Sequence, residues 1–237
     1  KGRFYSEAHP LKGKETVEIR YMTAKEEDIL TSKTLLKNGM AIDRLIGSIL
    51  VDKTINVASL YASDKNAILV ACRISGFGPD YETRVNCPAC GTSAPYTFDL
   101  NQCRPYFGNE ELDIDGEGAF TVVLPVTSIE ARIKILNSKE EAFLTQLAEN
   151  KAKKNLPESM LTDQLKAIVV SLNGQTERST INKFVDVMPA RDSRFLRKEY
   201  AKAAPGVEMK NDFKCSSCGH EQEVDIPLTA DFFWSNR

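Results

Sequence analysis

Two short cysteine motifs carry the chemistry that the residue types in this chain allow: Cys87-Pro88-Ala89-Cys90-Gly91 and Cys215-Ser216-Ser217-Cys218-Gly219. A turn through the two middle residues sets a pair of sulfurs about one tetrahedral edge apart, and the following glycine permits the left-handed backbone such a turn favours. Each motif supplies half of a four-thiolate site. Cys87, Cys90, Cys215 and Cys218 are therefore the expected ligands of one structural Zn2+, and thiolate-only coordination leaves no position for a reactive water. The alternatives are a disulfide within or between the motifs, half-sites completed by neighbouring subunits, or a motif without metal. His220 follows the second motif and could stand in for a ligand, but a surface position is expected for it. Cys72 lies in an apolar helical stretch and reads as a buried thiol, and Cys103 as a free cysteine.

Little else in the chain points to catalysis. The two histidines, His9 and His220, sit in no triad or His-Glu-x-x-His context, and no phosphate-cradling glycine loop occurs, so no catalytic residue is assigned and no enzyme is expected. Glu26/Glu27 and Glu140/Glu141 lie where the first turn of a helix favours acids for capping and dipole reasons. Arg191, Arg194, Arg197, Lys198 and Lys202 form a basic helical stripe, with Arg191 and Arg194 the expected contacts to an acidic protein surface. Two aromatic clusters, Phe4-Tyr5 and Phe232-Phe233-Trp234, either pack on the chain's own core or insert into a partner, and both are assigned to partner binding.

The elements that must position the cysteines form two similar series. Val17-Glu18-Ile19-Arg20-Tyr21-Met22 alternates as a strand and gives way to Thr23 with Glu26 three residues on; Ala131-Arg132-Ile133-Lys134-Ile135-Leu136 gives way to Asn137 with Glu140 three residues on. Both are strand-into-helix transitions with a capping-box pattern. Asp43-Arg44-Leu45 is echoed by Asp163-Gln164-Leu165, Ala62-Ser63-Asp64 by Ala190-Arg191-Asp192, and each series ends on a cysteine motif. The expected fold is α+β: two duplicated strand–helices–zinc-knuckle units in a pseudo-twofold arrangement around the four-cysteine site. Its boundaries are an N-terminal arm (1–16), a first copy (17–100), a connection (101–119), a second copy (120–228) and an aromatic tail (229–237). Helices are expected over 25–36, 40–50 and 63–74, then 139–153, 158–172 and 193–203, with Asn173-Gly174 as a turn.

Bulk properties narrow the class. A chain of 237 residues with 42% hydrophobic content can bury a core. A formal charge of −2 and a pI near 5.9 give no footprint for a phosphate backbone. No stretch reaches the roughly 20 apolar residues of a membrane span, and paired cysteine motifs of this kind suit a reducing compartment. The sequence begins at Lys1, not Met, and a short preceding piece is expected.

Lys1-Gly2-Arg3-Phe4-Tyr5, Met22-Thr23-Ala24-Lys25-Glu26-Glu27, Asp64-Lys65-Asn66, both cysteine motifs, Met188-Pro189-Ala190-Arg191-Asp192-Ser193-Arg194 and Asp231-Phe232-Phe233-Trp234 together resemble the T4-type baseplate protein family of contractile-tailed phages, over essentially the whole chain. The resemblance implies a structural component of the tail baseplate, at the hub or its immediate surroundings. It would be assembled in the host cytoplasm, without enzymatic activity, and would act through contacts with other baseplate and tail-hub proteins. A hub assembly factor that leaves before the virion is complete is one alternative. From the residues alone, a zinc-ribbon nucleic-acid-binding module is another, with Arg84, Lys210 and Lys214 as its thin basic support. Redox catalysis through Cys-x-x-Cys is a third, disfavoured because each motif runs into strand-like sequence and not into a helix.

Overall fold

The computed structural model describes residues 2–37, 39–154, 156–226 and 232–233. Along the chain, α1 (Ala24–Thr31), α2 (Lys33–Lys37), α3 (Ala41–Ile49) and α4 (Ala62–Phe77) precede a hairpin of β1 (Asp80–Asn86) and β2 (Ser93–Asp99) and a short β3 (Arg104–Tyr106). Then come β4 (Ala119–Val123), β5 (Glu130–Lys134), α5 (Ser138–Lys153), α6 (Met160–Ile168), β6 (Val169–Leu172), α7 (Arg178–Val187) and α8 (Ala190–Ala203). The chain continues through β7 (Gly206–Glu208) to a second hairpin, β8 (Lys210–Lys214) and β9 (Glu221–Asp225). The fold is mixed α+β.

These elements form two compact units, each drawing on three stretches of chain. The first, here the sheet unit, comprises Lys1–Glu18, Asp52–Ala62 and Phe107–Pro205. Its antiparallel sheet runs in the order β4-β5-β6. Alternation along β5 turns Ala131 and Ile133 inward, and Phe120 faces Ile133 across the ladder. Leu165, Ile168, Ile181, Val185 and Leu196 from the helices are likewise buried. The helix expected over 158–172 stops at Ile168, because Val169 and Val170 favour an extended backbone and Val169 pairs with Ile133 of β5, while Val170 falls at the register shift before Ser171 pairs with Arg132. Asn173 and Gly174 both have positive φ (45° and 78°), and Leu172 and Gln175 exchange backbone hydrogen bonds around them, the geometry of a two-residue hairpin turn. Helix α7 lies outside the sequence expectation, although Ile181 and Val185 at i, i+4 form its buried face.

The second, the knuckle unit, comprises Ile19–Val51, Ser63–Tyr106 and Gly206–Arg237. Leu45, Ile46 and Ile49 on α3 are fully buried, each contributing roughly 1.5–3 kcal/mol of burial free energy. The strand expected at 17–22 is reduced to a single bridge, Ile19 with Leu50. The helix expected over 25–36 breaks at Ser32, whose ψ of 107° is extended, so that α1 and α2 are separate. On α4, Arg73 is 1% exposed and its guanidinium donates to three backbone carbonyls, those of Phe232 (3.1 Å), Gly78 (2.6 Å) and Asp80 (2.9 Å). This buried cation ties the end of α4, the start of β1 and the C-terminal segment together. Burial lowers its pKa from the usual arginine value.

Candidate metal centre

Both cysteine motifs are hairpin turns of the knuckle unit, and their backbones superimpose in kind. Between Asn86 and Ser93, the last pair of β1 and β2, Cys87 N–H donates to Thr92 O (2.9 Å) and Gly91 N–H to Cys87 O (2.8 Å). Between Lys214 and Glu221, the last pair of β8 and β9, Cys215 N–H donates to His220 O (2.9 Å) and Gly219 N–H to Cys215 O (2.9 Å). Gly91 and Gly219 have φ of 71° and 72°, a conformation that an L side chain adopts only under strain. The first cysteine of each turn, Cys87 and Cys215, is buried among Val85, Tyr96, Phe213 and Val224, and the second, Cys90 and Cys218, is exposed.

The hairpins meet at their turns. Cys87 Sγ lies 3.7 Å from Cys218 Sγ and Cys90 Sγ 3.8 Å from Cys215 Sγ; all four sulfurs are within 4.8 Å of one another. A tetrahedron with metal–sulfur bonds of about 2.3 Å has edges of about 3.8 Å, whereas a disulfide requires about 2.05 Å. The geometry thus fits a metal ion held by four thiolates, and all six cysteines of the chain are free. Tyr96 fixes the approach: its ring sits edge-on to Phe213 at 5.0 Å and its hydroxyl donates to Asp212 O at 2.8 Å, while Asn211 Nδ2 donates to Asp99 O at 3.2 Å.

Packing four thiols this closely separates their acidities. The hydroxyl and N–H of Thr92 draw the Cys90 thiol down to about 6, and the backbone N–H groups of Cys218 and Ser217 lower Cys215. Cys218 receives the His220 N–H, which lowers it, but sharing its proton with Cys90 and the other sulfurs outweighs this and pushes it up to about 12. His220 is outside the donor set, with Nε2 3.0 Å from Gln222 Oε1. Cys72 is buried on α4, and desolvation raises its thiol to about 11. Half-buried Cys103 is raised for the same reason. Lys210 and Lys214 pair with Glu223 (3.3 Å) and Glu221 (2.5 Å) on the facing strand, which neutralises the basic support for a nucleic-acid-binding ribbon.

The residues expected to bind partners fall into two groups. Arg191 and Arg194 are exposed on α8. The aromatic arms, in contrast, are packed inside the chain. In the sheet unit, Phe4 and Tyr5 are 2% and 5% exposed, Tyr5 stacks on His9 at 4.0 Å, and Tyr61 donates its hydroxyl to Phe4 O. In the knuckle unit, Phe232 and Phe233 are buried, with Phe232 5.1 Å from the Tyr81 ring. Trp234 lies outside the described residues. Self-packing wins because Tyr61, Tyr81 and Arg73 supply aromatic faces and a backbone anchor that the local sequence does not reveal.

The family model described as "T4 bacteriophage base plate protein" matches residues 4–234, nearly the whole chain. The chain belongs to this family. Membership makes it a phage base plate protein of the virion tail, with other baseplate proteins as its neighbours, and suggests a structural role. No curated protein and no solved structure matches the chain. Among the described residues, no helix is long and apolar enough to cross a membrane. Sequence reasoning missed two buried polar anchors of this base plate protein. One is Arg73; the other is Asp192, fully buried in the first turn of α8, which accepts from Val126 N–H (2.8 Å), Thr127 N–H (3.1 Å) and the Thr127 hydroxyl (2.8 Å). Only the position of Asp192 just after Pro189-Ala190 hinted at a polar helix start.

Proposed function

We propose that the protein is a structural component of the contractile tail baseplate, at or beside the hub, stiffened by one zinc ion bound within each chain through Cys87, Cys90, Cys215 and Cys218. The observation that carries this reading is the meeting of the two hairpin turns at tetrahedral sulfur spacing. Tetrahedral all-sulfur sites suit zinc or iron, and zinc brings no redox change to a part that must keep its shape. When bound, the ion joins segments far apart in sequence and so adds its binding free energy to folding.

The same reading treats the chain as duplicated. Each series runs from an extended segment, the Ile19 bridge or β5, through a capped helix (α1 or α5) to a nine-residue helix (α3 or α6), and on through a later helix (α4 or α8) to a knuckle hairpin. The backbone caps of α3 and α6 match, Leu50 N–H to Ile46 O and Val169 N–H to Leu165 O. On this reading Ile46 corresponds to Leu165, one residue away from the pairing of Asp43 with Asp163 suggested by sequence. Helix α7 is then an insertion in the second copy. Arg191 and Arg194 remain the proposed contacts to acidic baseplate neighbours, formed during assembly in the host cytoplasm.

Elemental analysis of the purified protein with its native mass tests the metal: about one zinc per chain in a monomer is expected. Absence of metal, or zinc found only in dimers that Cys215→Ser dissociates, overturns a site closed within one chain. Quantitative mass spectrometry of purified virions tests the role. A fixed copy number supports a baseplate component, whereas presence in assembly intermediates and absence from virions makes the protein a hub assembly factor.

A further inference from the structure

Helix α5 has 16 residues and not one is buried, which is unusual for a helix carrying Phe143, Leu144, Leu147 and Ala148. Beside it on α6 and the preceding turn, Met160, Leu161 and Leu156 are 71%, 55% and 51% exposed. Two adjoining grooves of about 360 and 300 Å3 run between the helices and share Ala148, Glu149, Met160 and Asp163. Among the described lining residues the charges are unequal: Glu149, Glu158 and Asp163 lie beside Lys151, which is itself bonded to Asp163 (2.6 Å) and Ser159. The matched positions of the first series are closed. Leu30 (for Leu144), Ala41 (for Met160) and Leu45 (for Gln164) are 3%, 3% and 0% exposed. At Leu144 and Met160 the second series therefore leaves open positions that the first buries.

We infer that the α5–α6 face is the docking site for a partner's amphipathic helix bearing leucine-type residues on one stripe and lysine or arginine beside them. A third helix is the element that fills a groove between two others, at axial separations of about 8–10 Å. The acidic lining selects a cationic flank and disfavours a twofold pairing of this face with itself, since that would set carboxylates against carboxylates. The inference rests on the reading of the protein as one that works through protein contacts, and names the partner chemistry.

The test titrates whole, metal-loaded protein into a fluorescein-labelled leucine–lysine peptide of roughly three to four turns with leucines at i, i+3, i+4 and i+7. A shuffled peptide of the same composition and a leucine–glutamate version serve as comparisons. The patterned cationic peptide is expected to bind about tenfold or more tightly than either comparison. The double variant Met160→Lys/Glu149→Lys is expected to lose that binding, whereas Val187→Lys on α7 keeps it. All three altered side chains are exposed, so unchanged metal content and thermal unfolding separate lost docking from lost folding. Equal binding of the shuffled or acidic peptide, or retained binding by the double variant, overturns the inference. So does a dimer that Met160→Lys dissociates, which would make the occupant a second copy. None of these results touches recovery of the wild-type protein in virions, by which the baseplate reading stands or falls separately.

Discussion

The two joints that lead into α1 and α5 share a plan and differ in depth. In the first, Glu26 is fully buried and accepts from both terminal nitrogens of Arg20 (3.1 and 2.6 Å), from Thr23 N–H (2.9 Å) and hydroxyl (2.7 Å), and from the Ser48 hydroxyl (2.6 Å). In the second, Glu140 accepts from Lys134 and from Asn137 N–H (3.1 Å), and its side chain is 31% exposed. It opens onto a groove of about 910 Å3 that Ala167, at the position the proposed duplication matches to Ser48, helps to line. Both carboxylates cap a helix and pair with a cation six residues earlier. What separates them is the forked arginine and the hydroxyl, which together satisfy a carboxylate fully enough for burial. The capping pattern therefore sets where each helix starts, and burial sets how much the pair stabilises the protein.

The largest expected effect comes from Glu26→Ala, which removes the acceptor of the Thr23 and Ser48 donors and unpairs Arg20. Because the Arg20 side chain is 40% exposed and can turn to water, the loss should be about 2–3 kcal/mol, below the top of the range for a broken buried pair. Denaturant unfolding measures it, and metal content should not change. The same joint should respond to pH. The Arg20 hydrogen bond, helped by Ser48 and Thr23 and opposed by burial, holds Glu26 well below the usual value of 4.5. Since the folded-state pKa is depressed, its contribution is complete above about pH 4.5 and is lost as pH falls below that. The stability gap between wild type and Glu26→Gln should accordingly narrow from pH 6 towards pH 3; a constant gap would show that Glu26 acts through shape and not through charge. Ser48→Ala removes the hydroxyl that donates to Glu26 and accepts from Arg20, and should cost about 1–1.5 kcal/mol.

The joints also show what could be read from sequence. Thr23/Glu26 and Asn137/Glu140 were legible because capping is local, and so were the cysteine turns, because Cys-x-x-Cys-Gly specifies its own backbone. Tertiary partners escaped. Nothing near Arg73 announces three carbonyl acceptors, one of them on Phe232. Val169 and Val170 read as the end of a helix until β5 offers a ladder. Sequence left the aromatic arms open between self-packing and a partner, since Tyr61 and Tyr81 are distant from them along the chain.

The smallest effects lie in the second joint and test whether depth alone explains the difference. Glu140→Ala breaks a half-exposed pair and should cost only about 0–1 kcal/mol, well under the cost of Glu26→Ala in the same assay. Ala167→Ser then moves the missing hydroxyl into place. If position 167 matches position 48, the serine can donate to Glu140 as Ser48 does to Glu26, and a gain of about 0.5 kcal/mol is expected at neutral pH. The gain should vanish in an Ala167→Ser/Glu140→Ala double variant, because the hydroxyl then has no carboxylate to meet. A gain that persists without Glu140 would mean that the serine acts on the groove and not on the joint. The matching of the two copies at this helix would then lose its support from side-chain chemistry and rest on backbone order alone.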